Sequence, residues 1–184
     1  NSFIFCNFNQ SFKISMEEYE IWMRLLRKID KSVLWLQGSN EIAQYNLRKE
    51  AEICGVNPQR IIFTERIEKD RHLARHKLAD LFLDTFNFNA QSTASDSLWS
   101  GLPLITKIGS QFVARSAASQ LTAIGLPELI AKTSYEYEKL ALKIANSPNL
   151  LKKLKNKLHL NRKRFELFDT KNYTKNLEKS YKEV

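Results

Sequence analysis

The sequence predicts an α/β fold: a Rossmann-like parallel sheet with helices on both faces, followed by further C-terminal helices. As far as residue 131, short apolar runs rich in β-branched and aromatic residues alternate with segments of three- and four-residue apolar spacing. Beyond that point only the helical spacing continues. Strands that alternate with helices favour a parallel sheet with right-handed crossovers, because parallel neighbours need a connection of helix length.

Each predicted strand is a short apolar run. The five runs are Phe3–Phe8, Val33–Gln37, Arg60–Thr64, Leu81–Phe86 and Pro103–Lys107. Helices are predicted between them, the first capped by Ser15 and the others at Glu41–Cys54, Glu68–Ala79, Ser92–Ser100 and Phe112–Ile124. A glycine follows three of these helices (Gly55, Gly101 and Gly125) and is expected to end each one.

Three more helices, at Tyr135–Asn146, Pro148–Phe165 and Lys171–Tyr181, are predicted after the last strand. The connection to them is short and not flexible in composition, so we expect one lobe over residues 1–184. Within it, residues 1–131 form the α/β core and residues 132–184 a helical extension. Because the chain starts with Asn and its first methionine is Met16, we expect a fragment of a longer protein.

Composition narrows the class of protein. The 184 residues are 43% hydrophobic and 27% charged, which is typical of a globular chain. The sequence has no apolar run of membrane-spanning length, and its two cysteines form no C-x-x-C motif. We therefore expect a cytoplasmic protein without a membrane partner, a disulfide scaffold or a zinc knuckle.

The positive charge is concentrated in the helical extension. Residues 132–184 hold 14 basic and 6 acidic side chains, so they carry +8 of the net charge of +9. This segment is either a solvated helix face or a surface that binds nucleic acid. No aromatic platform for stacking bases is interleaved with the lysines, which favours the solvated face and makes nucleic acid an unlikely partner.

Polar segments follow four of the predicted strands, where ligands of open parallel sheets bind. Gln10 and Lys13 follow the first strand and offer an amide and a cation. Lys69, His72 and Arg75 follow the third strand at spacings of three, so they share one helix face. Either group is a candidate for binding an anion, and either is equally compatible with a solvated polar surface.

The third segment begins a helix after the fourth strand. Ser92 and Thr93 offer hydroxyls and free N–H groups at that helix start, which together suit an anion. Asp96 either complements the helix dipole in the first turn or binds a ribose hydroxyl. The fourth segment, 109–115, ends in Arg115, which either contacts a ligand or pairs with an acid.

Several common sites are excluded by their missing motifs. The sequence contains no G-x-G-x-x-G, no P-loop and no nucleophile elbow. The histidines at 72, 76 and 159 make no metal cluster with the cysteines, so no metal or cofactor is expected.

A family resemblance is carried by strings spread through the chain in one order. They include FCNFNQ at 5–10, SVLWL at 32–36, RIIF at 60–63, LDT at 83–85, LWSGLP at 98–103 and AASQLT at 117–122. These strings resemble the C-terminal catalytic lobe of the O-linked N-acetylglucosamine transferase family. That family includes the plant SPINDLY-type proteins and bacterial relatives with tetratricopeptide repeats.

The resemblance implies the nucleotide-sugar lobe of a GT-B glycosyltransferase that is metal-independent and inverting. It implies transfer of N-acetylglucosamine from UDP-GlcNAc to Ser or Thr of an acceptor protein, with an N-terminal lobe and tetratricopeptide repeats outside this sequence. The residues it assigns are Gln10, Lys13, Gln91, Ser92 and Thr93 at the diphosphate, Lys69 and Asp96 at the ribose, and the Ile67 backbone, His72 and Arg75 at the uracil. Lys13 is also assigned the catalytic role of stabilising the leaving diphosphate.

Departures from the family pattern keep alternatives open. Gln91 stands where the family usually has His, and Gln37-Gly38-Ser39 replaces part of a Leu-Arg-x-Pro pattern. The alternatives are a GDP-fucose donor, a catalytically inactive nucleotide-binding or scaffold relative, and a basic nucleic-acid-binding module. We expect the isolated fragment to bind nucleotide weakly and not to turn it over.

Overall fold

The strands form one parallel sheet of six. A computed structural model describes residues 2–183. Its strands are β1 (Phe3–Asn7), β2 (Ser32–Gln37), β3 (Ile61–Thr64), β4 (Leu81–Leu83), β5 (Leu104–Lys107) and β6 (Ile130–Ala131). They lie in the order β3-β2-β1-β4-β5-β6, and every neighbouring pair is parallel. The chain thus builds outward from β1 to β3 and then restarts on the other side of β1 with β4, which opens a crevice at that switch point.

Eight helices accompany the strands in the described part of the chain. They are α1 (Met16–Lys28), α2 (Glu41–Ile53), α3 (Lys69–His76), α4 (Ser92–Trp99), α5 (Ser116–Ala123), α6 (Ser134–Ala145), α7 (Pro148–Asn161) and α8 (Thr170–Glu183). The backbone N–H of Ser15 donates to Glu18 Oε1 at 2.7 Å, which forms part of a capping box at the start of α1. Gly101 and Gly125 adopt φ values of +85° and +71° after α4 and α5, so they end these helices as predicted.

The structure corrects two predicted elements and adds one that was not predicted. The predicted helix Phe112–Ile124 is divided into a 3-10 turn at Phe112–Ala114 and α5, with the break at Arg115. The fourth strand ends at Leu83 rather than Phe86, because the carboxylate of Asp84 accepts the next N–H and the chain turns. The short strand β6 was not predicted.

The core lies between the sheet and the helices packed on it. Phe5, Leu34 and Phe82, on three of the four inner strands, are fully buried. Burial of such a side chain stabilises the fold by about 1.5–3 kcal/mol, which explains why these strands are nearly uniformly apolar.

The C-terminal helices α6 and α7 join this core. Tyr137 of α6 is fully buried; it accepts a hydrogen bond from Trp22 Nε1 at 3.3 Å and donates one to the Asp84 carbonyl at 3.1 Å. Leu158 of α7 is also fully buried. Helix α8 contributes no buried residue. Within residues 2–183, no helix combines the length and apolar character needed to cross a bilayer.

Candidate functional site

A cavity of about 850 Å³ opens at the carboxyl ends of the strands on one side of the switch point. Its lining includes most of the predicted site residues, namely Gln10, Ile67, Lys69, His72, Arg75, Thr93 and Asp96. Lys13, Gln91 and Ser92 are not among the lining residues. Residues more than 80 positions apart in sequence therefore meet in one crevice, because parallel strands bring their following loops to the same edge.

Lys69 and Asp96 face each other across the mouth of this cavity. Lys69 Nζ lies 2.5 Å from Asp96 Oδ1, and this ion pair joins α3 to α4. Helix α4 has no acidic residue in its first turn, so the prediction that Asp96 lies there is wrong. Because the helix starts at Ser92, Asp96 lies one turn further along and its carboxylate faces α3. The two groups predicted to contact a ribose are thus adjacent.

An aromatic and imidazole wall is formed by Phe8 and two histidines of α3. The Phe8 ring packs edge-on against His72 and His76, with centroid distances of 5.8 Å and 5.0 Å. Burial lowers the pKa of His72, and the nearby guanidinium of Arg75 lowers it further. His72 is therefore neutral at pH 7, which suits a flat surface that packs against a base.

His76 supports this wall from behind. It is fully buried, and its Nδ1 donates to the His72 carbonyl at 2.7 Å, whereas Nε2 has no partner among the described residues. Burial lowers the pKa of His76 to about 4, so it stays neutral over the physiological range. Its position at the fourth residue after His72 was visible in the sequence, but its burial was not.

Arg75 forms the inner end of the cavity and is itself largely buried. Its guanidinium donates to Thr64 Oγ1 at 3.2 Å, the Glu65 carbonyl at 2.9 Å and Gln37 Oε1 at 2.9 Å. The guanidinium carbon also lies 4.6 Å from the centre of the Phe8 ring. Most of its donors are engaged by the protein, so Arg75 also holds the ends of β2 and β3 in place.

Lys13 lies beside the segment that leads into α4. Its Nζ donates to the Asn89 carbonyl at 3.3 Å and sits 3.8 Å from the centre of the Phe88 ring. Burial lowers the pKa of Lys13, while the charge of Asp84 raises it. The Asn89 carbonyl that accepts from Lys13 lies three residues before Ser92, the first residue of α4. The ammonium is therefore held close to the start of that helix.

The start of α4 carries no side-chain cap. Gln91 precedes the helix, makes no capping hydrogen bond, and directs its Nε2 toward Ser116 Oγ at 3.4 Å. Ser92 is exposed and Thr93 half-buried. With no cap and no acid in the first turn, this helix start can receive an anion through its N–H groups.

Sequence reasoning missed two lining residues at the end of β2. Gln37 is held between Arg75 and the Thr64 carbonyl, to which its Nε2 donates at 3.2 Å. Gly38 donates its N–H to the same carbonyl at 2.7 Å, and a Cβ at Gly38 would lie 2.9 Å from that oxygen. Only glycine allows this approach, so the departure from the family pattern at 37–39 has a local steric consequence.

Asp84 was also missed as a component of the site. It is fully buried at the end of β4, and burial raises its pKa to about 7 although several hydrogen bonds act in the opposite direction. In the sequence, the string LDT carries only the family resemblance, because the partners of this carboxylate are distant in sequence.

The remaining candidates lie elsewhere. Arg115 donates to the Gly109 carbonyl at 3.1 Å and lines a separate cavity of about 710 Å³ beside α5. Cys6 is buried in the core, and both cysteines are free. No three His, Cys, Asp or Glu side chains within residues 2–183 are grouped as metal ligands would be.

Known proteins are similar to this chain in sequence over nearly its whole length. The chain is 36% identical over 178 residues to the UDP-N-acetylglucosamine--peptide N-acetylglucosaminyltransferase of Caenorhabditis elegans, which is 97% of this chain and 16% of that protein. It is 37% identical over 182 residues to the Arabidopsis thaliana SEC protein, covering 98% of this chain and 19% of that protein. For the rice SPINDLY protein, the identity is 31% over 190 residues, covering 100% and 20%. The chain thus spans a fifth or less of the length of these relatives.

The solved structures confirm the predicted fold. The Thermobaculum terrenum O-GlcNAc transferase, determined as a mutant, matches 98% of this chain and 35% of its own chain with a TM-score of 0.92 at 26% identity. This lobe is therefore the Rossmann-like lobe of a GT-B glycosyltransferase. Residues 1–177 match the model of glycosyl transferase family 41, and with the sequence identities above this shows that the chain belongs to glycosyl transferase family 41.

Proposed function

We propose that this chain is the donor-binding lobe of an enzyme that transfers N-acetylglucosamine from UDP-GlcNAc to serine or threonine hydroxyls of proteins. Family membership supports a glycosyltransferase, and the names of the Caenorhabditis elegans and Arabidopsis thaliana relatives support this donor and a peptide acceptor. The observation that carries the proposal is the 850 Å³ cavity at the carboxyl ends of the strands, with cations, a carboxylate and a flat imidazole in its lining.

The proposed binding mode follows the chemistry of a nucleoside diphosphate. The uracil packs on His72 and reaches the backbone at Ile67, close to Arg75. The ribose hydroxyls bind Asp96 and Lys69. These two side chains already form an ion pair at 2.5 Å, so the hydroxyls compete with that ion pair for them.

The diphosphate is proposed to lie at the start of α4. The uncapped N–H groups and the hydroxyls of Ser92 and Thr93 face it, together with the amides of Gln10 and Gln91. Gln91 donates a hydrogen bond there but carries no charge, unlike the histidine usual in the family.

Catalysis is proposed to rest on stabilising the leaving group. As the bond between the sugar and the diphosphate breaks, negative charge grows on the departing β-phosphate oxygen. Lys13 and the α4 amides meet this charge, so the mechanism as proposed needs no metal ion. An acceptor hydroxyl attacks the anomeric carbon from the opposite face and inverts it.

The acceptor site and the base that receives the hydroxyl proton are proposed to belong to a second lobe, with helical repeats, outside these 184 residues. The support is the small share of the relatives' length that this chain covers. Transfer itself is therefore a property to test on the full-length protein, with labelled UDP-GlcNAc and a protein acceptor.

Calorimetry with UDP, GDP and a short DNA duplex tests the nucleotide assignment on the 184-residue chain. We expect UDP to bind at one site, and GDP at least about tenfold more weakly, because groups placed to hydrogen-bond a uracil edge would be left unpaired against guanine. GDP binding as tight as that of UDP would overturn the donor assignment. Heat from the duplex without heat from UDP would instead favour the basic-surface alternative.

A further inference from the structure

We infer that Asp84 is the positioning residue of the diphosphate site: its buried carboxylate fixes the start of α4 and the anchor of Lys13 without touching the donor. This inference rests on the proposed function and adds a residue to it. Asp84 does not line the donor cavity.

The carboxylate joins three segments of the sheet edge. Its Oδ1 accepts the backbone N–H groups of Thr85 at 2.9 Å and Ala90 at 2.7 Å, and the Asn9 amide at 3.4 Å. Its Oδ2 accepts the Thr106 hydroxyl at 2.7 Å. One side chain thereby ties the loop after β1, the turn after β4 and strand β5 together.

The bond to Ala90 is the one that reaches the functional site. Ala90 lies two residues before the first residue of α4, so its fixed N–H sets where the helix begins. The preceding carbonyl, that of Asn89, is the acceptor for Lys13 Nζ at 3.3 Å. A shift of this segment would therefore move both groups that are proposed to hold the diphosphate.

The turn between β4 and α4 also has hydrogen bonds of its own. The Asn89 amide donates to the Thr85 carbonyl at 2.7 Å, and Thr85 Oγ1 donates to the Phe88 carbonyl at 2.6 Å. The Asn89 N–H donates to the Val113 carbonyl at 2.9 Å. These bonds shape the turn, but among residues 2–183 only the Asp84 side chain connects it both to the loop after β1 and to β5.

Among the described residues, few charged or titratable groups lie near the Asp84 carboxylate. Lys13 is the charged group that faces it, and Tyr137 of α6 approaches its backbone carbonyl through the phenol. The polar partners Asn9 and Thr106 complete its surroundings. Burial raises the pKa of Asp84 to about 7, and its four hydrogen-bond donors act in the opposite direction and favour the ionised carboxylate.

The test compares UDP and uridine binding by calorimetry for the wild-type chain, Asp84→Ala and Asp84→Asn. In Asp84→Asn the side-chain oxygen still accepts from Thr85 and Ala90, and its amide donates to the Thr106 hydroxyl. We expect Asp84→Ala to weaken UDP at least about tenfold and uridine less than about twofold, and Asp84→Asn to restore UDP binding to within about threefold of wild type. The exchange protection of the Ala90 amide should be lost and restored in parallel.

Asn161→Ala is the matched control. The Asn161 amide is buried and donates to the Ile124 carbonyl at 2.8 Å at the far end of α5. Its loss removes a buried hydrogen bond and is expected to lower stability while leaving UDP affinity unchanged. Should Asp84→Ala fail to fold, Asp84→Ser, whose shorter hydroxyl cannot bridge Ala90 and Thr106, is expected to show the same selective loss.

The outcomes distinguish a failure of the proposed function from a failure of the positioning role of Asp84. A wild-type chain that binds no UDP overturns the proposed function and this role with it. A wild-type chain that binds UDP while the Ala or Ser variant keeps wild-type affinity, or loses UDP and uridine equally, overturns the positioning role alone.

Discussion

Replacing Lys13 by Met tests the proposed contact with the diphosphate. The change keeps an unbranched apolar stem against Phe88 and removes only the ammonium, whose Nζ lies 3.3 Å from the Asn89 carbonyl at the approach to α4. A charge-assisted hydrogen bond contributes about 1.5–3 kcal/mol, which corresponds to a loss of roughly 10- to 150-fold in UDP affinity. Uridine lacks the phosphates, so its affinity is expected to stay within about twofold.

Lys155→Met is the matched control for this experiment. Lys155 Nζ also donates to a backbone carbonyl, that of Ala79 at 3.4 Å, but at the amino end of β4. Both variants lose one positive charge and one contact with a backbone carbonyl, and Lys155→Met also loses an ion pair with Asp80 at 3.4 Å, so a general effect of charge would appear in both. Titration calorimetry with UDP and uridine gives the comparison. The reasoning is refuted if Lys13→Met weakens both ligands equally, or if Lys155→Met weakens UDP as much as Lys13→Met does.

Three further outcomes follow from the site. Asp96→Asn removes the ion pair with Lys69, so the free energy of thermal unfolding should change by less than about 1 kcal/mol. The affinities for uridine and UDP should fall together, and unchanged uridine binding would argue against a ribose contact. Gly38→Ala should lower the free energy of unfolding in urea by about 1–3 kcal/mol, because its Cβ would meet a β3 carbonyl at 2.9 Å, and an unchanged midpoint would contradict this. Burial raises the pKa of Asp84 to about 7, so this group contributes stability below pH 4 that is lost as pH rises towards 7. Burial lowers the pKa of His76 to about 4, so that group contributes stability above pH 6.5 that is lost as pH falls towards 4. The two effects, roughly 4 and 3 kcal/mol, oppose each other, so Asp84→Asn should make stability rise from pH 4 to 6.5 and His76→Leu should make it fall over the same range; denaturant curves with unchanged pH slopes would count against both pKa shifts.

The fold was largely predictable because the middles of its inner strands are apolar. Runs such as 33–36 and 81–83 are apolar without alternation, which is typical of inner parallel strands, and glycines mark the helix ends. Strand β6 was missed because it has only two residues and follows a 3-10 turn that starts at Pro127, so no periodic pattern can develop. The break at Arg115 was missed because the helical spacing continues through it.

The candidate site was predictable in outline and less so in detail. The spacing of three places Lys69, His72 and Arg75 on one helix face, and the structure brings all three to the cavity. Spacing does not show that the guanidinium of Arg75 is turned inward to the ends of β2 and β3, since that depends on Phe8 and Gln37.

The buried hydrogen-bond network around Asp84 could not be predicted from the sequence. The partners of Asp84 include Asn9 and Thr106, which are 75 and 22 residues away. Only the order of the strands in the sheet brings them together, and no local pattern in the sequence records that order. The assigned contacts with uracil, ribose and diphosphate remain predictions.

A crystal structure of this chain soaked with UDP tests the central claim most directly. We predict that the β-phosphate lies within about 3 Å of Lys13 Nζ and of the backbone N–H groups of Ser92 and Thr93. A diphosphate bound elsewhere, or a start of α4 closed by the Gln91 side chain in place of a phosphate, would contradict the account.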